Sequence, residues 1–167
     1  TKDISASINK EYTIIDSSKK FSSIIDQLNS ASIISFDLIA SEFDYKSKKI
    51  KGVCFSTSKD SGWYVPLYLD GTTNLINKDI LSILKNILEN DQYKFCSQNI
   101  KNKSVLLSNY DIDLNPMSYD IILAEHLLSP DKHSYQLDFM SIDYCGYNMK
   151  FSNNFFKSNK DISTLLD

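Results

Sequence analysis

Apolar residues recur along the chain with two spacings, one typical of strands and one typical of helices. Short runs rich in β-branched and aromatic residues predict strands at 12–15, 32–38, 50–57, 62–68 and 93–96. Helical spacing predicts helices at 78–89, 100–109 and 136–145, and two more that begin at candidate N-caps, one from 16–18 to 28 and one from Ser118 or Asp120 to Leu128. The strands come first as a meander and then alternate with helices, which predicts an α/β protein with a mixed sheet and flanking helices.

The predicted helices carry apolar faces, and the strand at 32–38 carries a charge. The residues expected to face inward are Phe21, Ile24, Ile25, Leu28, Ile80, Leu81, Leu84, Ile87, Leu88, Val105, Leu106 and Leu107. Asp37 stands inside the apolar run of the strand, where an unpaired carboxylate would be costly to bury. We therefore expect Asp37 either to have a fixed partner or to take part in chemistry.

The chain is long enough for one domain with its own core. Its 167 residues predict a folded domain over 12–150, a polar linker over 1–11 and a polar tail over 151–167. Since the first residue is Thr1 and not methionine, we expect a piece of a longer protein.

Charge and cysteine content narrow the possible partners. All 18 basic residues are lysines and the net charge is −3, so no domain-wide basic surface indicates nucleic acid. The one dense basic cluster, Lys46, Lys48, Lys49 and Lys51, is interpreted as a solvated loop, with phosphate contact as the alternative. Three widely spaced cysteines predict neither a disulfide framework nor a zinc site and favour a reducing, cytoplasmic location. No apolar stretch or signal peptide indicates a membrane partner.

Common catalytic motifs are absent from the sequence. It contains no dinucleotide-binding glycine motif, no phosphate-binding P-loop and no His-Glu-x-x-His zinc motif. His126 and His133 have no cysteine or histidine cluster around them, so we expect surface or core roles for both instead of metal binding.

Four segments, taken together, do indicate a family. They are 36–39 (Phe-Asp-Leu-Ile), 94–103 (Lys-Phe-Cys-Ser-Gln-Asn-Ile-Lys-Asn-Lys), 119–130 (Tyr-Asp-Ile-Ile-Leu-Ala-Glu-His-Leu-Leu-Ser-Pro) and 135–147 with its Leu-Asp and Cys-Gly-Tyr. This series resembles the 3′–5′ exonuclease (proofreading) domain of bacterial family A DNA polymerases, the DNA polymerase I type. That family has Phe-Asp-x-Glu, then Gly-Gln-Asn-x-Lys-Tyr-Asp, Phe-Asp-Thr-Met with Leu-Leu-x-Pro, and a Leu-Asp…Leu-Gly-Tyr segment. The resemblance implies an RNase H-like (DnaQ-like exonuclease) fold.

The family's chemistry uses two divalent metals held by carboxylates, and most of these positions differ here. Carried over by position, Asp37 is kept, Ile39 stands where the family has Glu, and Lys103 stands where it has Asp. The preceding Tyr is Asn102, and the final Tyr-x-x-x-Asp, expected beyond residue 150, does not occur before Asp167. The resemblance thus implies no catalytic residues and no metal cofactor, with Asp37 vestigial; Mg²⁺ or Mn²⁺ would be needed only by an active enzyme.

Two acidic residues nearby are poor substitutes for the lost ligands. Glu42 and Asp44 follow the predicted strand, whereas residues 37 and 39 share one face of it. We therefore hypothesise that the Lys103 ammonium occupies the vacated metal position and pairs with Asp37. The alternative is that Lys103 reaches solvent and Asp37 only accepts backbone hydrogen bonds.

Three functions follow from these observations. The first is an inactive proofreading domain, kept as a monomeric structural module beside a polymerase domain of the same chain. Its contacts with DNA would be weak, salt-sensitive and made by lysines. The second is an active metal-dependent 3′–5′ exonuclease, and the third is a stand-alone RNase H-like binding module.

Overall fold

A computed structural model describes residues 11–40, 49–59, 61–67, 77–115 and 118–148. The chain divides into two compact units, one of residues 7–132 and one of residues 1–6 and 133–167. Within the described residues the elements are β1 (Glu11–Ile14), α1 (Ser18–Ser30), β2 (Ile34–Ala40), β3 (Ile50–Ser58), β4 (Ser61–Pro66), α2 (Lys78–Leu88), β5 (Phe95–Ser97), α3 (Ile100–Ser108), β6 (Tyr119–Asp120), α4 (Ile121–Leu128) and α5 (Leu137–Cys145).

The larger unit is built on a six-stranded mixed sheet with the strand order β1-β4-β3-β2-β5-β6. The meander β2-β3-β4 is antiparallel, whereas the pairs β1-β4, β2-β5 and β5-β6 are parallel. This arrangement confirms the predicted mixed sheet. It also places β2, the strand that carries Asp37, in the interior of the sheet between β3 and β5.

Side chains alternate between the two faces of β2. Ile34 and Phe36 are buried, while the Ser35 and Asp37 positions are exposed. The buried face belongs to one hydrophobic cluster, to which α1 contributes Phe21, Ile24 and Leu28, and α2 contributes Ile80, Leu84, Ile87 and Leu88. The core therefore lies on one side of β2, and Asp37 points to the other side.

Polar side chains cap the first turns of α1 and α2, and the cap of α1 is one of those that the sequence predicts. The Ser17 hydroxyl accepts a hydrogen bond from the Lys20 amide at the start of α1, and the Asn77 side chain accepts one from the Ile80 amide at the start of α2. Each bond satisfies one of the backbone donors that a helix leaves free at its first turn.

One residue that the sequence predicts to lie in the core is exposed. Leu106 and Leu107 of α3 are buried, but Val105 is exposed. Three consecutive helical residues spread over roughly 200° of the helix circumference, so they cannot all face one core. The prediction for Val105 is wrong for this reason.

The described part of the smaller unit contains α5. This helix ends at Gly146, which has a φ of 62° and donates its amide to the Ile142 and Ser141 carbonyls. Glycine adopts this left-handed conformation without steric cost, and it is the usual residue at such a helix end. In the parts of the chain that the structure describes, no helix has the length and apolar content to cross a membrane.

Candidate functional site

Asp37 and Lys103 form an ion pair on the exposed side of β2. The distance from the Lys103 Nζ to the Asp37 Oδ1 is 3.0 Å. The two residues are far apart in sequence and come together because β5 lies beside β2 and leads directly into α3. The predicted pairing of these two side chains is confirmed.

The burial of the pair is the reverse of what the sequence suggests. The Asp37 side chain is 64% exposed, whereas the Lys103 side chain is only 11% exposed. The apolar run around Asp37 buries one face of β2 only, so the expectation of a buried carboxylate is wrong. The alternative in which the lysine reaches solvent is wrong as well, because its ammonium also donates to the Gln98 carbonyl.

Lys103 is held in this position by the turn that joins β5 to α3. The Ser97 hydroxyl donates to the Phe36 carbonyl at 2.6 Å, which fastens the end of β5 to the residue before Asp37. Asn99 then takes a left-handed conformation with a φ of 56°, and α3 begins at the next residue. One turn later, the side chain of Lys103 points back towards β2.

A second carboxylate, Asp120, supports the same turn, and the sequence indicates only part of its role. It is one of two candidate caps for α4, and the structure shows that its side chain accepts from the Ile122 amide at 2.9 Å. The same carboxylate also accepts from the Asn99 and Ile100 amides at 3.1 and 2.9 Å. Asp120 therefore caps the first turns of both α3 and α4, which no local sequence signal could have revealed.

The rest of the face around Asp37 is formed by neutral groups. Cys54 lies opposite Asp37 in the β2–β3 register, and Gly52 lies opposite the half-buried Ile39. The Tyr64 ring covers Gly52 so closely that a β-carbon there would collide with the ring. Ile39 is thus placed in an uncharged part of the sheet.

Burial keeps the Cys54 thiol and the Tyr64 hydroxyl, which lie on the face around Asp37, protonated. It raises the pKa of Cys54 to about 12, with a smaller contribution from the negative charge of Asp37. Burial likewise raises the pKa of Tyr64 to about 12, with a further contribution from Cys54. At neutral pH, therefore, neither group offers a thiolate or phenolate to a metal or a substrate.

The donor set that the described residues offer does not fit a pair of divalent cations. Among them there is no group of three or more histidine, cysteine, aspartate or glutamate side chains that could hold a metal ion. Asp37 contributes one carboxylate to this face of the sheet, and its Oδ1 is already paired with the Lys103 ammonium. Glu42, Asp44, Lys46 and Lys48 lie outside the described residues.

The remaining candidates from the sequence are spread over the surface. His126 and His133 are both exposed, and so are Lys49 and Lys51. The three cysteines are unbridged, with Cys145 exposed and the other two partly buried.

The chain matches the sequence family of 3′–5′ exonuclease domains of family A DNA polymerases over residues 12–165. This match covers most of the chain, and the chain therefore belongs to that family.

The curated relatives are bacterial DNA polymerases. The DNA polymerase I of Borreliella burgdorferi is 26% identical over 136 residues, which cover 81% of this chain and 15% of that protein. The DNA polymerase I of Pseudomonas aeruginosa is 25% identical over 142 residues, which cover 82% of this chain and 16% of that protein. The chain thus spans less than a fifth of the length of these relatives.

Solved structures share the fold. The catalytic core of RRP6 from Trypanosoma brucei superposes with a TM-score of 0.73 at 12% identity, covering 95% of this chain and 42% of that one. NrnC from Brucella melitensis, solved with bound Mg²⁺, has a TM-score of 0.68 at 9% identity, covering 95% and 71%. The fold is RNase H-like, as the resemblance implies.

Proposed function

We propose that this chain is a 3′–5′ exonuclease domain that has lost its activity and serves as a structural module of a DNA polymerase. The observation that carries the proposal is the Lys103 ammonium, which lies 3.0 Å from the one carboxylate kept at the site. Lys103 stands where the family has an aspartate, so a fixed positive charge replaces a ligand of the metal.

Electrostatics oppose a metal at this position in two ways. Hard dications need several carboxylate oxygens, and Ile39 and Lys103 supply none. In addition, an ammonium about 4 Å from a dication would repel it by roughly 8 kcal/mol at an effective dielectric constant of about 20. The Asp37 carboxylate lies at a similar distance and attracts a dication about as strongly as Lys103 repels it, so the pair offers no net negative charge to hold the ion.

The direct test combines a nuclease assay with a metal titration. We expect no Mg²⁺- or Mn²⁺-dependent shortening of an end-labelled single strand at high protein concentration, and no heat of metal binding by calorimetry. Shortening that is abolished by Asp37→Ala, or tight binding of two divalent ions, would overturn the proposal in favour of an active exonuclease. That second outcome would mean that carboxylates outside the described residues complete the site.

A gain-of-function variant provides the matched positive control. In the double variant Ile39→Glu, Lys103→Asp, the repelling charge is removed and carboxylates are restored at both family positions beside Asp37. We expect this variant to bind at least one Mn²⁺ ion in the same titration. Lys103→Ala alone removes the repulsion without adding a ligand, so we expect it to bind more weakly than the double variant.

The role as a module rests on the relatives. Both curated relatives are DNA polymerase I, and this chain matches only a small part of each. We propose that a polymerase region belongs to the same polypeptide, that the domain is monomeric and cytoplasmic, and that DNA contacts are few and made by lysines. An open reading frame without a polymerase region would instead support a stand-alone RNase H-like binding module.

A further inference from the structure

Lys103 connects three parts of the larger unit through a single ammonium group. Its backbone lies near the start of α3. Its Nζ lies 3.0 Å from the Asp37 Oδ1 on β2, and it donates a hydrogen bond to the Gln98 carbonyl in the turn between β5 and α3. A primary ammonium has several N–H groups, so it can bind both oxygens at once. The side chain therefore links α3, the β5–α3 turn and β2.

Burial makes this ammonium depend on its two oxygen partners. Lys103 is the one buried lysine among the residues that the structure describes, and its side chain is only 11% exposed. Lysine is almost never buried unless its charge is paired, because an ammonium removed from water needs polar contacts in place of its hydration. A carboxylate oxygen and a backbone carbonyl oxygen are also ligands that hard cations bind in proteins. The Lys103 ammonium thus occupies a cation site made by Asp37 and Gln98.

The β5–α3 turn has polar groups of both kinds that need partners. Its Asn99 and Ile100 amides donate to the Asp120 carboxylate, whereas its Gln98 carbonyl accepts from the Lys103 ammonium. Asn99 has a φ of 56°, a conformation that residues other than glycine seldom adopt, and its side chain makes no capping bond to α3. The turn is therefore maintained by an anion at its amides and by a cation at its carbonyl.

Packing of the lysine stem is the alternative explanation for the burial of Lys103. The methylene stem of a lysine can lie along apolar surface while its charge contributes nothing. A methionine, which is of similar length and adaptable shape, would then fill the same space equally well. The two explanations differ in one respect, because only the ammonium can hold the Gln98 carbonyl and the Asp37 carboxylate together.

We infer that the Lys103 ammonium is a built-in cation, which joins the start of α3 and the β5–α3 turn to β2 as a bound ion joins its ligands. This inference deepens the proposed function and rests on it, because it takes this position to be closed to divalent ions. The folded state of the domain then depends on the lysine and not on Mg²⁺ or Mn²⁺. A variant with a shortened lysine offers the Asp37 and Gln98 oxygens to a primary ammonium ion from solution.

Hydrogen–deuterium exchange in the full-length protein tests the link at the turn. Lys103→Met keeps a stem of similar length and loses the ammonium. We expect the amides of residues 99–102 to exchange roughly tenfold faster in this variant, because the Gln98 carbonyl loses its partner. Asp37→Asn removes the opposite charge and should speed the same exchange by a smaller factor. Lys101→Met makes the matched change at an exposed lysine of the same helix and should leave the exchange as it is in the wild type.

A double variant separates one shared link from two independent effects. Lys103 and Asp37 are the two ends of a single contact. Once Lys103→Met has removed the contact, Asp37→Asn has nothing further to break, so the double variant should exchange no faster than Lys103→Met alone. An effect of Asp37→Asn that persists in full in the Lys103→Met background would contradict the inference.

Chemical rescue identifies the kind of cation that the site takes. Lys103→Ala removes the atoms of a propylammonium ion, and we expect it to speed exchange at residues 99–102 as Lys103→Met does. Propylammonium chloride at tens of millimolar should restore slow exchange. Tetramethylammonium chloride carries the same charge without an N–H donor, so it should not. An equal response to both salts would show that no oxygen site for an ammonium exists.

Two further results distinguish a failure of this inference from a failure of the proposed function. Exchange at the wild-type rate in Asp37→Asn and in Lys103→Met would overturn the inference alone. Asp37 is exposed, so its variant decides the matter even if a variant of Lys103 does not fold. Slower exchange of the unaltered turn on addition of Mg²⁺ would refute both, because it would show a metal ion at the site.

Discussion

Removing the Asp120 carboxylate should destabilise the larger unit more than removing the exposed carboxylate of Asp37 or Asp26. In Asp120→Ala, the Asn99, Ile100 and Ile122 amides all lose their acceptor. Asp120 thus supports the turn that presents Lys103 to Asp37 as well as the first turn of α4.

The expected loss of stability follows from the three hydrogen bonds that the Asp120 carboxylate accepts. Loss of an N-cap costs about 1 kcal/mol, and a hydrogen bond to a charged group contributes roughly 1.5–3 kcal/mol. The Asn99 amide is exposed, so water replaces the carboxylate there at little cost, whereas the Ile100 amide is partly buried. We therefore expect a loss of about 3 kcal/mol in the free energy of unfolding, which corresponds to a Tm lower by about 6–12 °C in a chain of this size.

Urea unfolding followed by circular dichroism measures this loss. Asp120→Asn keeps one acceptor oxygen and the helix cap, so we expect it to lie between the wild type and Asp120→Ala. Asp26→Ala removes an exposed carboxylate from the middle of α1 and should change stability by less than about 0.5 kcal/mol. If Asp120→Ala unfolds within about 1 kcal/mol of the wild type, or if Asp120→Asn is no better than Asp120→Ala, the reasoning on shared capping is refuted.

Three further predictions concern the face around the site. Gly52→Ala should cost about 1–3 kcal/mol because the new β-carbon would collide with the Tyr64 ring; thermal unfolding measures this, and a loss as large in the Tyr64→Ala background would contradict it. Stability should fall at alkaline pH, since the unfolded chain releases the Cys54 proton near the ordinary thiol pKa of 9.0 while the folded protein holds it to about 12. The free energy of unfolding then declines above pH 9 by about 1.4 kcal/mol per pH unit for this thiol, and urea midpoints at pH 8, 9 and 10 should show a shallower decline in Cys54→Ala. The same raised pKa predicts that iodoacetamide at pH 8 alkylates the exposed Cys145 well before Cys54, because the thiolate is the reactive form; peptide mass spectrometry gives the order, and equal rates would refute it.

The sequence alone was sufficient for the family and for every helix and strand of the described residues except the two-residue strand β6. Strand and helix signals are local, because capping residues and the spacing of apolar side chains lie within a few positions of one another. The Ser17 cap of α1 and the order of the strands in the meander illustrate this. The family motifs were equally visible, and the pairing of Lys103 with Asp37 could be predicted from them.

Tertiary structure alone decided which of these residues are exposed and what else they contact. Burial depends on whether another element covers a given face, and that element comes from a distant part of the chain. Asp37 is exposed because the core lies on the other side of β2, and Lys103 is buried although lysine seldom is. Asp120 joins two helices that the sequence separates, and Glu125 is turned inward while Leu123 and Leu127 face solvent. None of these facts has a local signal, because each depends on how distant elements are placed in space.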